Sequence, residues 1–194
     1  MALQGLYQCF SHWGKDGGTF IIGDTHFGED DLKKAFPNRP SDDELVKMIN
    51  QRVGKCGTLI LLGDVGDLEY AKKLKGYKIL VCGNHDRGHT AYREIFNEVY
   101  EGPVLISSRI LLSHEPVPNV NWCVNIHAHV HDSRAKNDKY HLNVCADVIG
   151  YTPINFNQFL KSGALSKVQS LKRAVIDKAT ERKKKRGGRK IGEK

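Results

Sequence analysis

The sequence predicts an α/β fold in which two packed, mixed β-sheets are flanked by helices. In the first half of the chain, apolar runs at residues 19–22, 58–62 and 77–82 alternate with helical patterns, which predicts parallel strands joined by right-handed crossovers. Residues 104–144 contain further apolar runs with few helical patterns between them, which predicts a second, more antiparallel sheet packed on the first. A chain of 194 residues with 40% hydrophobic content has the size of one domain with a sizeable core.

The net charge of +8 is concentrated at one end of the chain. Residues 164–194 contain twelve Lys or Arg and three acids, a net of +9, so 18 basic and 19 acidic residues remain before them, a net of −1. No apolar stretch approaches a membrane span, and the N-terminus lacks the pattern of a secretory signal. The five cysteines are widely spaced without a C-x-x-C pair, which excludes a zinc ribbon and predicts reduced, mostly buried thiols. We therefore expect a soluble, cytoplasmic protein with no membrane partner.

The first predicted strand ends in a polar loop. Residues 19–22 are apolar, and the Gly-Asp-Thr-His-Phe-Gly sequence of residues 23–28 follows them. A buried strand thus delivers the carboxylate of Asp24 and the imidazole of His26 to one place. Glycine on each side lets the backbone turn and lets a ligand approach.

Two more strands of the first half end in the same way. Ser41 and Glu44 form an S-x-x-E capping box, which predicts the start of a helix before the strand at 58–62. That strand ends in Gly-Asp at Asp64, and a short helix at 68–75 leads to the third strand. Gly-Asn-His-Asp at residues 83–86 follows the third strand, and three polar side chains at a buried strand's end indicate a site rather than packing.

The second half supplies histidines at the ends of its apolar runs. These runs lie at residues 104–106, 109–112, 123–126 and 142–144. His114 follows one run, and His127, His129 and His131 follow another. We predict a domain at residues 1–163, an amphipathic helix at 164–181 and a basic, disordered tail at 182–194.

The polar side chains at the strand ends are of the types that bind metal ions. They are Asp24, His26, Asp64, Asn84, His85, His114 and the histidines of residues 127–131. Imidazole, carboxylate and amide groups without thiolate suit divalent Mn, Fe, Zn, Co or Ni. These ligands are too many for one tetrahedral ion. Two ions about 3.5 to 4 Å apart that share a bridging carboxylate would use them all, and such pairs typically serve phosphate-ester hydrolysis.

The order and spacing of these motifs resemble the calcineurin-like metallophosphoesterases. The resemblance spans roughly residues 20–160, and residues 24–28, 38–40 and 151–153 are similar to a small prokaryotic and phage-type branch. It implies a four-layer sandwich of two mixed sheets flanked by helices. The sequence departs from the family's motif pattern at Ala128, where that pattern usually has glycine, but it keeps a residue at every ligand position.

The resemblance also implies a role for each site residue. One divalent ion would be held by Asp24, His26 and His131, a second by Asn84, His114 and His129, and Asp64 would bridge both. A hydroxide bridging the two metals would attack phosphorus in line with the leaving oxygen. His85 would protonate or stabilise that oxygen, with Asp86 orienting its imidazole.

Several assignments stay open at this stage. The alternation of His127, His129 and His131 puts all three on one side of a continued strand, and only the family register selects the last two. Arg39 and Arg87 lie near motif loops and could contact a substrate phosphate, yet each could equally be a plain surface arginine. Other candidate residues have a structural alternative too: His12, His89 and His141 fit surface or core histidines, and Asp67 fits a loop-fixing hydrogen-bond acceptor.

The predicted function is that of a dinuclear metal-dependent phosphoesterase acting on phosphate mono- or diesters. A nuclease or nucleic-acid end-processing phosphatase guided by the basic residues 182–190 is an alternative, because a flexible basic run binds phosphate backbones. A non-catalytic binding scaffold on the same fold is a further alternative. A protein Ser/Thr phosphatase is disfavoured, because residues 68–69 are Leu-Glu where those enzymes have Arg-Gly.

Overall fold

The computed structural model of the protein describes residues 6–14, 17–86, 89–132 and 138–167. Its described strands are β1 (Thr19–Ile22), β2 (Thr58–Leu62), β3 (Tyr77–Val81), β4 (Glu98–Tyr100), β5 (Val104–Ser107), β6 (Ile110–Leu112), β7 (Val124–His127), β8 (His141–Asn143) and β9 (Ile154–Asn155). Its described α-helices are α1 (Asp30–Ala35), α2 (Asp42–Val53), α3 (Leu68–Lys72), α4 (His89–Arg93), α5 (Ala146–Ile149) and α6 (Phe156–Lys161). Short 3-10 helices lie at Gln8–Phe10 and Ala164–Lys167. The remainder of the predicted C-terminal helix and the basic tail lie outside the described residues.

The first sheet has the strand order β4-β3-β2-β1-β9. Strands β1 to β4 are parallel to their neighbours, and β9 pairs with β1 in the antiparallel direction. The predicted parallel pairing of the first three strands is therefore confirmed. The connections through α2 and α3 bring the carboxyl ends of β1, β2 and β3 to one edge of the sheet.

The second sheet has the order β5-β6-β7-β8 and is less antiparallel than expected. Only β5 and β6 are antiparallel, whereas β6, β7 and β8 are parallel to one another. The expectation failed because hydrophobic runs do not encode strand direction, and because the loop at residues 113–123 makes a parallel crossover without a helix. Both sheets are mixed and the fold has flanking helices, as the sequence predicts.

Side chains that alternate along the strands of the first sheet pack into two separate hydrophobic cores. Ile60 and Val81 point toward the second sheet, where they pack in one cluster with Leu112 and Ile126. Leu61 and its neighbours on the other face pack against the helices, chiefly α2. On the outer face of the second sheet, the described residues supply a smaller cluster around Leu111, Val120 and Cys123.

Helix α2 begins with the predicted capping box. Ser41 accepts a hydrogen bond from the backbone of Glu44, and the Glu44 side chain accepts one from the backbone of Ser41. The buried face of α2 contains Leu45 and Ile49, which covers the first sheet. The cap fixes the point at which the preceding loop, residues 37–40, enters the helix.

All five cysteines are free thiols. Cys123 and Cys145 are buried and Cys82 is half-buried, but Cys9 and Cys56 are exposed, so the expectation of mostly buried thiols is wrong for two of them. Within the described ranges, none of the helices has the length and apolar character needed to cross a membrane.

Candidate metal centre

The motif loops meet where the ends of the two sheets adjoin. Gly23, just after β1, accepts a hydrogen bond from Ala146 and donates one to Val144, which joins the end of β1 to the end of β8. Of the six described non-glycine residues with positive φ, four are predicted metal ligands: Asp24, His26, Asp64 and His129. Residues other than glycine rarely adopt a positive φ, and such backbone strain concentrates at functional sites.

The first group of candidate ligands consists of Asp24, His26 and His131. One ligand atom from each lies within 4.8 Å of the others. Asp24 Oδ1 lies 3.8 Å from His26 Nε2 and 3.8 Å from His131 Nε2. Asp24 and His26 are buried, and His131 is half-buried.

The second group consists of Asp64, His114 and His129, which also offer ligand atoms within 4.8 Å of one another. His114 Nε2 lies 3.0 Å from His129 Nδ1 and 2.9 Å from Asn84 Oδ1. The structure thus brings the amide of Asn84 to this group as well. His127 is not part of either group: its ring is buried at the end of β7 with Nδ1 2.9 Å from the carbonyl of Ala128.

Asp64, a member of the second group, also lies close to the first. Its Oδ2 is 3.5 Å from His26 Nε2 of the first group and 3.3 Å from His114 Nε2 of the second. Burial would raise the pKa of Asp64, but hydrogen bonds from His114 and the His85 backbone, with charge interactions, lower it to about 2. Asp64 is therefore an anion at neutral pH, as a carboxylate shared by two cations must be.

Several buried polar atoms of the first group lack hydrogen-bond partners. Asp24 Oδ1 and His26 Nε2 are buried and unpaired, which is costly unless a ligand satisfies them. Burial also raises the pKa of Asp24, outweighing the opposite effects of His114 and His131. Donors about 2.1 Å from one ion lie roughly 3.0 to 3.5 Å apart, close to the separations seen here. The residues present fit a divalent ion at this position.

Hydrogen bonds orient two of the imidazoles, those of His114 and His131, so that one nitrogen of each faces the centre. His114 donates from Nδ1 to the carbonyl of Leu62 at 2.8 Å, which leaves Nε2 toward Asp64. His131 Nδ1 lies 2.7 Å from Asp147 Oδ2, which leaves its Nε2 toward Asp24. Carbonyl or carboxylate partners on the outer nitrogen are typical of metal-binding histidines.

His26 has a looser partner on its outer nitrogen. Its Nδ1 is 2.9 Å from Glu29 Oε2, though without hydrogen-bond geometry. Glu29 is half-buried. His26 is therefore held mainly by its backbone, which donates to the carbonyl of Asp64 at 2.9 Å.

Asp86 has a different place from the one predicted. Its carboxylate accepts hydrogen bonds from the backbone of Asp64, Val65 and Gly83 and from the Tyr92 hydroxyl. Among the described residues, no hydrogen bond joins Asp86 to the imidazole of His85. The expectation that Asp86 orients His85 is corrected: the turn at residues 83–86 directs the carboxylate back onto the loop after β2, where it fixes the backbone around Asp64.

His85 lies on the solvent side of the centre. Its ring centroid is 5.9 Å from that of His26, and its backbone N–H donates to Asp64 Oδ1 at 2.9 Å. The side chain lines a cleft of about 530 Å³ together with Glu29 and Asp67. A second cleft of about 390 Å³ lies on the other side, beside Asn84 and His114. Both clefts therefore adjoin residues of the 83–86 turn, the first at His85 and the second at Asn84.

Arg39 does not face either cleft. Its side chain is 1% exposed, its Nη1 donates to Asp147 and its Nη2 donates to the carbonyls of Asp24 and Thr25. A buried, paired guanidinium cannot reach a substrate phosphate, so the expected phosphate contact is corrected to a structural one. Arg87, the other predicted phosphate contact, lies outside the described residues.

The other polar residues considered from the sequence, Asp67, His12 and His141, form hydrogen bonds with neighbouring residues. Asp67 accepts a hydrogen bond from the Glu69 backbone and caps α3, as one of its two interpretations predicted. His12 contacts Glu98, and His141 contacts Asp138, both away from the centre. At Gly23, a Cβ would lie 2.3 Å from the Ala128 methyl, so the Ala128 side chain packs directly against the glycine that follows β1.

Asp147, which contacts His131, is a site residue that the sequence did not predict. Asp147 is separated from Arg39 by 108 residues, and no motif marks it. The one signal available was an acidic residue just after the buried Cys145, where a solvated surface position is the ordinary interpretation.

Searches against protein-family models and against curated proteins found no match. Among solved structures, the chain is similar to AQ665, a protein of unknown function from Aquifex aeolicus, with a TM-score of 0.63 and 27% identity over 74% of this chain and 98% of that one. It also matches Pseudomonas putida nuclease MPE (TM-score 0.36, 20% identity, 58% and 60% of the two chains). A further match is YfcE, a phosphoesterase from E. coli (TM-score 0.39, 16% identity, 66% and 77%). The last two superpose too poorly for their activities to be transferred, so the comparisons establish a fold shared with AQ665.

Proposed function

We propose that the protein is a phosphoesterase that uses two divalent metal ions. The observation that carries this proposal is the position of Asp64, whose Oδ2 lies 3.5 Å from an imidazole nitrogen of one candidate group and 3.3 Å from that of the other. A carboxylate between two sets of nitrogen and oxygen donors is the arrangement of dinuclear hydrolytic sites.

The proposed ligands divide into two sets that share one residue. The first set is Asp24, His26 and His131, the second is Asn84, His114 and His129, and Asp64 belongs to both. Ions of the Mn, Fe, Zn, Co or Ni type bound there would supply Lewis-acid stabilisation of phosphoryl oxygens and activation of water.

The protein's own groups supply charge balance and proton transfer. Asp24 and Asp64 supply negative charge, whereas the neutral amide of Asn84 keeps the second set less anionic. The imidazole of His85, on the solvent side and lining the larger cleft, donates a proton to the departing oxygen. Asp86 holds the loop that carries Asp64, and so supports the shared ligand rather than the proton donor.

The proposal is tested by hydrolysis of an aryl phosphate and a bis-aryl phosphate, with Mn²⁺ added to chelator-treated protein. We expect metal-dependent turnover of at least one ester, which Asp64→Asn abolishes and Glu98→Gln leaves unchanged. Glu98 is a suitable control because its carboxylate bonds to His12 and Trp13, away from the centre. Absence of turnover and of calorimetric metal binding would favour a non-catalytic scaffold.

A second candidate function is the processing of nucleic acid. It is favoured by the net charge of +9 in residues 164–194, against −1 in the preceding part of the chain. Removal of residues 182–194 should then lower activity on an oligonucleotide, most strongly at low salt, and leave a small aryl ester unaffected. Equal activity of the full and shortened chains on the oligonucleotide would contradict this candidate.

A further inference from the structure

A buried ion pair lies directly behind the first candidate metal group. Arg39 Nη1 donates to both oxygens of Asp147, at 2.8 and 2.6 Å, and each side chain is 1% exposed. The same carboxylate is 2.7 Å from His131 Nδ1 and accepts a hydrogen bond from the Tyr151 hydroxyl at 3.0 Å. One carboxylate thus joins an arginine, a candidate ligand and a tyrosine.

The arginine continues this network to the other two ligands of the group. Its Nη2 donates to the carbonyls of Asp24, at 2.9 Å, and Thr25, at 2.5 Å. These are the two residues immediately before His26. The ion pair therefore connects the loop after β1, which carries two candidate ligands, to the loop that carries His131.

We propose that Arg39 and Asp147 are positioning residues for the first of the two metal ions, an inference that rests on the proposed function. Asp147 fixes the tautomer of His131 in which Nδ1 carries the proton and Nε2 faces Asp24. Arg39 fixes the backbone whose positive φ at Asp24 and His26 directs those side chains to the same point.

The charges of the pair matter as well as its hydrogen bonds. Arg39 would place an unpaired positive charge beside a cation site, and Asp147 neutralises it at 2.6 Å. A buried ion pair contributes little net stability, since desolvation of both charges offsets their attraction. This pair differs from an ordinary buried ion pair in its partners. Asp147 contacts the candidate ligand His131, and Arg39 binds the carbonyls of Asp24 and Thr25.

Among the described residues, the pair makes no direct hydrogen bond to the second group, and the nearest connection is indirect, through the His129 backbone N–H that donates to Asp24 Oδ2 at 2.7 Å. His114 is oriented by the Leu62 carbonyl, and Asn84 contacts His114. Loss of the pair should consequently affect one ion and spare the other. That selectivity separates a positioning role from general stabilisation.

The test is a Co²⁺ titration of chelator-treated protein, followed by calorimetry and by visible absorption of the bound ion. The wild type should bind two ions. Asp147→Asn should weaken one of them about 10- to 100-fold and change its absorption spectrum, while the second keeps its affinity. Arg39→Lys keeps the positive charge but loses the forked guanidinium, so it should weaken the affinity for the same ion by a smaller factor.

Glu98→Gln provides the matched control, because Glu98 is also a largely buried carboxylate with several hydrogen bonds and lies away from the centre. It should bind both ions as the wild type does. If Asp147→Asn does not fold, Arg39→Lys decides the question by the same selective weakening of one ion.

Two outcomes overturn the inference while leaving the proposed function standing. Unchanged affinity for both ions in the folded variants would show that the pair does not position the ligands, and equal weakening of both ions would show a merely structural role. A wild type that binds no metal would overturn the proposed function together with this inference, so the two failures are distinguishable.

Discussion

At the scale of single residues, Gly-Asn-His-Asp at positions 83–86 divides into separate roles. Gly83 allows two loops to approach closely, and Asn84 contacts His114 of the second candidate group. His85 faces the larger cleft. Asp86 points the opposite way and binds the backbone of the loop after β2. Under the proposed function, this one short segment supports Asp64 as the shared ligand, offers Asn84 as a ligand and offers His85 as a proton donor.

Asn84→Ala and His85→Ala should therefore have different effects. Loss of the Asn84 amide should weaken binding of the second ion, measured by calorimetry, because the proposed oxygen ligand beside His114 is removed. Loss of the His85 imidazole should leave two ions bound and lower kcat by about 10²- to 10⁴-fold, the usual contribution of a general acid. Equal loss of metal in both variants would contradict this division.

Gly83→Ala should destabilise the protein by roughly 3 kcal/mol, the upper range for overpacking. A Cβ at Gly83 would lie 2.2 Å from Asp64 Oδ1 and 2.7 Å from its backbone nitrogen, so the shared ligand would have to move. Gly102→Ala is the matched control, since a Cβ there meets nothing within 4 Å, and should change the unfolding free energy by less than about 0.5 kcal/mol. Urea denaturation of both variants provides the measurement, and similar values would refute the close approach.

The stability of chelator-treated protein should fall as the pH rises from about 6.5 to 9. Burial would lower the pKa of His114, but Asp64, the Leu62 carbonyl and Asp24 raise it to about 9. A raised pKa stabilises the fold fully below the unfolded value and loses that contribution as the pH passes the folded value. The loss should be on the order of 2 kcal/mol in urea denaturation. His114→Gln should show a shallower pH dependence, and an unchanged slope would contradict the assignment.

At the scale of elements, the site depends on loops held at the ends of buried strands. Sequence patterns predicted β1, β2, β3 and α2 because continuous apolar runs and a capping box are local signals. They did not predict β4 and β9, which are short and whose burial comes from their neighbours.

The capping box of α2 gives a prediction at this scale. Ser41→Ala should lower the unfolding free energy by about 1 kcal/mol, because the Glu44 backbone N–H loses its acceptor. The metal affinity should stay unchanged, since Ser41 contacts no candidate ligand. Ser11→Ala, at an exposed serine, is the control, and an equal effect of the two substitutions in thermal unfolding would argue against the cap.

The candidate ligands could be predicted from the sequence, whereas their support could not. Each ligand follows an apolar run, so its place at a strand end is a local property. The buried pair of Arg39 and Asp147 spans 108 residues, and only the packed fold brings the two together. The same limit explains why Asp86 was assigned to its neighbour His85: its actual partners lie about twenty residues earlier in the chain, apart from Gly83 and Tyr92.

At the scale of the whole molecule, the two sheets are joined where the proposed centre lies. The first sheet supplies Asp24, His26, Asp64 and Asn84, and the second supplies His114, His129 and His131. The ends of β1 and β8 are hydrogen-bonded through Gly23, so the ligands from the two sheets are held in one frame. The parallel direction of β6, β7 and β8 places the histidine loops at the same end as the aspartate loops.

The most direct test of this account is an anomalous difference map from crystals of the Mn²⁺-loaded protein. We predict two peaks about 3.5 to 4 Å apart on either side of the Asp64 carboxylate, one beside Asp24 and the other beside His114. The absence of peaks at these residues, or a single peak that Asp64 does not contact, would contradict the dinuclear centre.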